Sequence, residues 1–170
     1  MKVIVVPYDY QWALDFVEES QALLTQLGSL ANCIHHIGST SVQGLSAKPI
    51  IDMLLDVGSL EELDRQSSRV VALGYEAMGE MGIPRRRYFR KGGYHRTQHI
   101  HAFQSGDTEL TRHLAFRDYL RAPPEVAKAY GKLKAQVAQQ CEDDIERYSA
   151  GKNDFIKHHE ALALQWYQSS

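Results

Sequence analysis

His36-Ile37-Gly38-Ser39-Thr40-Ser41-Val42-Gln43-Gly44-Leu45, followed shortly by Lys48-Pro49-Ile50-Ile51-Asp52-Met53-Leu54-Leu55-Asp56, sets a small, donor-rich turn between two apolar runs, the second of which carries two carboxylates. Gly38 lets the backbone turn with no Cβ in the way. The hydroxyls of Ser39, Thr40 and Ser41, with their amides, form a pocket suited to phosphate oxygens. Asp52 and Asp56 are the natural places to hold a hard cation such as magnesium or manganese. A glycine-serine turn feeding an acidic strand is the minimal layout for binding a nucleoside triphosphate with its cation, where catalysis is mostly positioning and charge neutralisation.

Upstream of the turn, Leu14, Phe16, Val17, Leu23, Leu24 and Leu27 fall near helical spacing and Gly28 closes the run, which predicts a helix from Gln11 to Leu27. Val3 to Val6 reads as a short strand or ordered arm, and Ala31 to Ile37 as a strand entering the turn. Pro49 to Val57 is nearly continuous in Ile, Met, Leu and Val, the pattern of a strand buried on both faces. Within it Asp52 is costly to bury without a cation or hydrogen bonds. Ser59 with Glu62 forms a capping box, so a helix is expected from about Leu60 to Leu73, ending at Gly74. Tyr75 to Met78, Arg86 to Lys91 and Gln98 to Phe103 read as short strands separated by glycine- and proline-bearing turns. Asp107 to Leu120 is a helix; further helices are expected after Pro123-Pro124 and from Asn153 to Tyr167. This order predicts one domain over residues 1–170, of the α+β (α/β-like) class, with a mixed sheet, helices packed on it and helices at the C-terminus.

The 170 residues suffice for one ordinary core, and 44% hydrophobic with 24% charged residues is the balance of a soluble globular protein. A net charge of -2 argues against wholesale nucleic-acid binding, leaving room only for a local basic patch. Met1 to Val6 carries one positive charge and a short apolar run ended by Pro7, neither a signal peptide nor a membrane span. The expected setting is the cytoplasm, without membrane attachment. Cys33 and Cys141 are expected as free thiols there. Trp12 and Trp166 read as core anchors.

The first block, with Lys48-Pro49-Ile50-Ile51-Asp52, His99-Ile100-His101, Phe116-Arg117-Asp118-Tyr119-Leu120-Arg121, Tyr130 and Lys134, resembles the GrpB family of small bacterial proteins over essentially the whole chain. The resemblance implies a nucleotidyltransferase-like fold, in which a glycine-serine turn precedes a strand bearing an acid-x-acid pair. That fold is similar to those of kanamycin and DNA-polymerase-beta-type transferases.

In the transferase pattern two acids two residues apart share one strand face and one metal centre. Here the second position is Leu54. Asp56 shares the face of Asp52 but lies roughly 13 Å along the strand at about 3.3 Å per residue. Gln98 to Phe103 instead offers His99 and His101 on one face. Asp52 with His99 and His101 would make a carboxylate-imidazole site favouring zinc, manganese, nickel or iron over magnesium. Asp52 and His101 are the candidate catalytic groups. Gly38, Ser39, Thr40, Ser41, Lys48, Arg86 and Arg90 are the candidate phosphate or nucleotide contacts, since Arg binds phosphate bidentately. His95 reads as a loop residue, and Lys134 and Lys152 are phosphate candidates by analogy alone.

Three functions follow as expectations. The first is binding of a nucleotide or phosphorylated small molecule with transfer of a nucleotidyl group to a small acceptor. The second is a catalytically silent nucleotide- or anion-binding module that lost its two-metal centre. The third is a metal-dependent hydrolase using Asp52, His99 and His101.

Overall fold

The computed structural model describes residues 4–92 and 97–122. The expected helices after Pro124 and from Asn153, with Lys134, Lys152, Cys141 and Trp166, lie outside the described residues, as does His95. Helix α1 spans Gln11–Leu27 and strand β1 Ala31–Ile37. Strand β2 spans Ile51–Val57, β3 Tyr75–Ala77, β4 Arg87–Lys91 and β5 Gln98–Gln104. The five strands form one mixed sheet in the order β1-β2-β5-β4-β3. β2 and β5 run parallel, and the other neighbours are antiparallel. Among the described residues, the N-terminal arm contributes a bridge of Val6 to Ala47, and Val3 lies outside them.

The helix expected from Leu60 to Leu73 is two short ones, α2 at Leu60–Arg65 and α3 at Ser68–Val71. The capping box forms, with the Glu62 amide donating to Ser59 Oγ at 3.2 Å. The Gln66 backbone leaves helical geometry at φ -113°, ψ 19°, which breaks the ladder. Leu63 and Val70, one on each short helix, both reach the core. Helix α4 spans Thr108–Arg121, and its N-cap Asp107 accepts from the Glu109 amide at 2.9 Å.

β2 shows why its sequence is almost uninterrupted in apolar residues. Ile51, Met53, Leu55 and Val57 face α1, α2 and α3 and join Trp12, Leu23, Leu27, Leu63, Val70, Phe89 and Ile100 in the main core. Leu54 faces the other way, into a second cluster with Ile37, Phe103 and Leu110 of α4. Both faces of the strand are covered, so the alternation of a one-sided strand is lost. Asp52 and Asp56 lie on the same face as Leu54, one toward each end. Asp56 accepts from Asn32 Nδ2 and Ser105 Oγ, clasping the ends of β1 and β5. No helix among the described residues is long and apolar enough to cross a membrane.

Candidate functional site

The parallel register of β2 with β5 sets Asp52 opposite His99 and Leu54 opposite His101. Paired residues of neighbouring strands point to one face, so both imidazoles rise beside the carboxylate. Asp52 Oδ1 lies 3.2 Å from His101 Nε2 and 3.4 Å from His99 Nδ1. One ligand atom from each of the three lies within 4.8 Å of the others. Burial alone would push the Asp52 carboxyl up, but hydrogen bonds with His101 and His99 hold it well below the usual carboxylate range.

Antiparallel pairing with β4 brings Tyr88 opposite His101 and Arg90 opposite His99. Arg86, just before β4, is buried, and its guanidinium donates to the carbonyls of Glu80 and Met81 and reaches His101 Nδ1 at 3.3 Å. A guanidinium can only donate, so Nδ1 of His101 accepts and the ring hydrogen sits on Nε2, aimed at Asp52. Arg86, His101 and Asp52 thus form one directed hydrogen-bond chain. The sequence points Arg86 at a phosphate, whereas in the fold its hydrogen bonds go to the backbone and to His101. Arg85 instead pairs with Asp107, and Arg87 with Asp64. Arg90 is half-buried, 4.0 Å from Glu76, and among the described residues its Nε and the Nε2 of His99 are buried without a hydrogen-bond partner.

The Gly38 turn lies against the other side of Asp52. Gly38 has φ 72°, and a Cβ built there would lie 2.7 Å from Asp52 Oδ2. Only glycine suits both the left-handed backbone and the contact. The following residues, Ser39–Ser41, make one 3-10 turn in which the Ser41 and Val42 amides bond the carbonyls of Gly38 and Ser39. Thr40 and Ser41 are buried and spend their hydroxyls inside the fold: Thr40 Oγ1 donates to the Ile50 carbonyl and Ser41 Oγ to that of Gly38. Among the described residues, the donors the turn leaves for a ligand are therefore the amides of Ser39 and Thr40 and the Ser39 hydroxyl. Lys48 is half-buried on the segment that leads into β2.

His36 sits on the opposite face of the sheet, stacked on Phe16 of α1 at 4.8 Å between ring centroids. Because Thr40's one hydroxyl hydrogen goes to Ile50, His36 Nε2 must donate to Thr40 Oγ1, at 3.0 Å. Burial lowers its pKa to about 4. It props the turn from behind. Two guanidiniums of α4 hold the same turn from outside, Arg121 donating to the Ser41 carbonyl and Arg117 to that of His36.

His113 of α4 was not among the sequence candidates, yet its ring lies 5.8 Å from that of His101, and burial lowers its pKa to about 3. The signal was present: His113 follows Leu110 by three residues and so shares the inward face of α4. Leu54 is fully buried where a second acid would stand. A two-metal centre of the acid-x-acid type does not fit these residues; a single ion ligated by one carboxylate and two imidazoles does. A cleft of about 500 Å³ opens near the far end of β5, between Leu60, Arg85, Gln104 and Thr108, and is separate from this cluster.

A family model described as GrpB protein matches residues 2–161. The UPF0157 protein YqkA of Bacillus subtilis (strain 168) is 47% identical across 97% of this chain, and the chain spans 48% of that protein, about half its length. The crystal structure of conserved protein GrpB from Enterococcus faecalis is similar at a TM-score of 0.93 and 47% identity, covering 97% of this chain and 99% of that one. The Cid1 poly (U) polymerase, solved bound to MgATP, aligns at a TM-score of 0.52 and 13% identity over 78% of this chain and 46% of that chain, a likeness of fold alone.

Proposed function

The chain belongs to the GrpB family, and from that premise we propose that it binds a nucleotide or another phosphorylated small molecule at the Gly38–Ser41 turn and transfers a nucleotidyl group to a small acceptor. The observation that carries this reading is the contact between the turn and Asp52. A left-handed glycine places backbone donors directly beside a carboxyl held well below the usual range, on a nucleotidyltransferase-like sheet. The Ser39 and Thr40 amides would receive phosphate oxygens. Asp52, oriented by His101, would face the reacting phosphate or the incoming acceptor hydroxyl.

A second reading is favoured by Leu54: the chain binds the same ligand without turning it over, because the position of the second acid is filled by core. One experiment separates them. Full-length protein is titrated calorimetrically with ATP, GTP, CTP and UTP, each with magnesium and with manganese, and then assayed for pyrophosphate release. Binding that Gly38→Ala weakens at least tenfold, with release, supports transfer; binding without release supports the silent module. No binding of any triphosphate overturns transfer, and no binding of inorganic phosphate or pyrophosphate either overturns the silent module.

A further inference from the structure

We propose that Asp52, His99 and His101 form a binding site for one divalent first-row transition-metal ion of the zinc or manganese type. Three observations carry it. The Asp52 oxygen lies 3.2 and 3.4 Å from the two imidazole nitrogens. Ligands about 2.0–2.1 Å from a tetrahedral ion are separated by about 3.3–3.4 Å, so the carboxylate oxygen already stands at ligand spacing from each imidazole, and all three atoms lie within 4.8 Å of one another. The other nitrogen of His99, Nε2, is buried without a hydrogen-bond partner among the described residues, so its contact with Asp52 is the one polar interaction seen there for this ring.

The donor set decides the class. One carboxylate and two imidazoles suit ions of intermediate softness and leave further positions open, whereas magnesium prefers an octahedron of oxygens. Leu54 removes the second carboxylate that a magnesium pair would use. All three ligands sit on two neighbouring strands rather than on loops, which fixes their separation. Proton balance is simple. The hydrogen on His101 Nε2, now shared with Asp52, must move to Nδ1 for Nε2 to ligate as a neutral imidazole, and Arg86, which donates to Nδ1, must turn aside. A phosphate at the Gly38 turn would face the Asp52 carboxylate, and an ion between them would relieve that repulsion; this last argument rests on the nucleotide reading, while the ligand geometry does not.

The test uses untagged full-length protein stripped with a chelator and titrated calorimetrically with zinc, manganese or magnesium chloride alone, without nucleotide. One equivalent of zinc or manganese is expected to bind, at least tenfold more weakly in His99→Ala, His101→Ala and Asp52→Asn, each checked for folding by circular dichroism. Unaltered protein loaded with cobalt(II) gives a readout that needs no variant: intense visible bands of a low-coordinate nitrogen-oxygen site are expected. No uptake of zinc or manganese, uptake unchanged in the folded variants, magnesium bound as tightly as zinc, or a cobalt spectrum like that of the aqueous ion would each overturn the assignment. Metal uptake without nucleotide binding would sink only the proposed function, and the reverse result only this site.

Discussion

Gly38 has no space for a side chain because Asp52 fills it: the carboxylate Oδ2 stands 2.7 Å from where a Cβ would be. Gly38→Ala is therefore strained twice, by its positive φ and by this collision. The expected cost is about 2–4 kcal/mol, roughly 1–2 from the left-handed backbone and the rest from displacing Asp52. Urea unfolding measures it; a loss below 0.5 kcal/mol would show that the turn relaxes freely and that the contact is incidental.

Restoring the second acid is expected to harm the protein. Leu54→Asp would remove a fully buried side chain from the cluster of Ile37, Phe103 and Leu110 and put a charge there. The loss should exceed about 3 kcal/mol, or the new carboxyl should stay protonated. Thermal melts with and without magnesium read this out, and a stable variant that gains magnesium affinity would refute it.

Arg86 orients His101, so its loss should change a tautomer. In the unaltered metal-free protein, long-range proton-nitrogen NMR spectra should show His101 with its hydrogen on Nε2. Arg86→Leu should shift the ring toward a tautomer mixture. It should also cost on the order of 2–3 kcal/mol, since the Glu80 and Met81 carbonyls lose charged donors. An Nδ1–H ring in the unaltered protein would contradict the assignment.

Stability should fall on mild acidification because His36 is held neutral. Its folded pKa of about 4 lies below the unfolded value of 6.5, so between these pH values the unfolded chain binds the additional proton. Its contribution is fully present above pH 6.5 and is lost as pH falls toward 4, up to about 3 kcal/mol for a buried group shifted this far. Burial dominates the shift; Asp52 opposes it, while Arg121 and Arg117 add to it. Urea midpoints at pH 7, 5.5 and 4.5 should fall less steeply in His36→Gln, which keeps a donor for Thr40. His113 adds a slope of the same sign in both proteins.

The strands and the helices before residue 122 were legible because each carried a local signal: a glycine stop for α1, a capping box for α2, glycine- and proline-bearing turns flanking β4 and β5. The pairing of His99 with His101 was legible from period-two spacing. Their meeting with Asp52 required the parallel register of β2 and β5, which no local pattern encodes. The turn hydroxyls read as ligand contacts because sequence cannot show that Ile50 and Gly38 offer carbonyls to Thr40 and Ser41. Arg86 looked like one member of a basic run, and only the loop folded around it, with Met81 at φ 50° and Arg85 at φ 67°, turns it inward. The break at Gln66 has no local signal in the sequence, because no glycine or proline stands between Leu60 and Leu73.

Asp52 and His101 are 49 residues apart and meet only across the parallel pair of strands. Closing so long a loop costs chain entropy that no neighbouring contact repays early. The three side chains therefore come together only when the sheet itself is closed. Any ion or ligand that bridges them selects the finished fold over every partly built form, and so acts as a stabiliser of the whole domain in proportion to its free concentration.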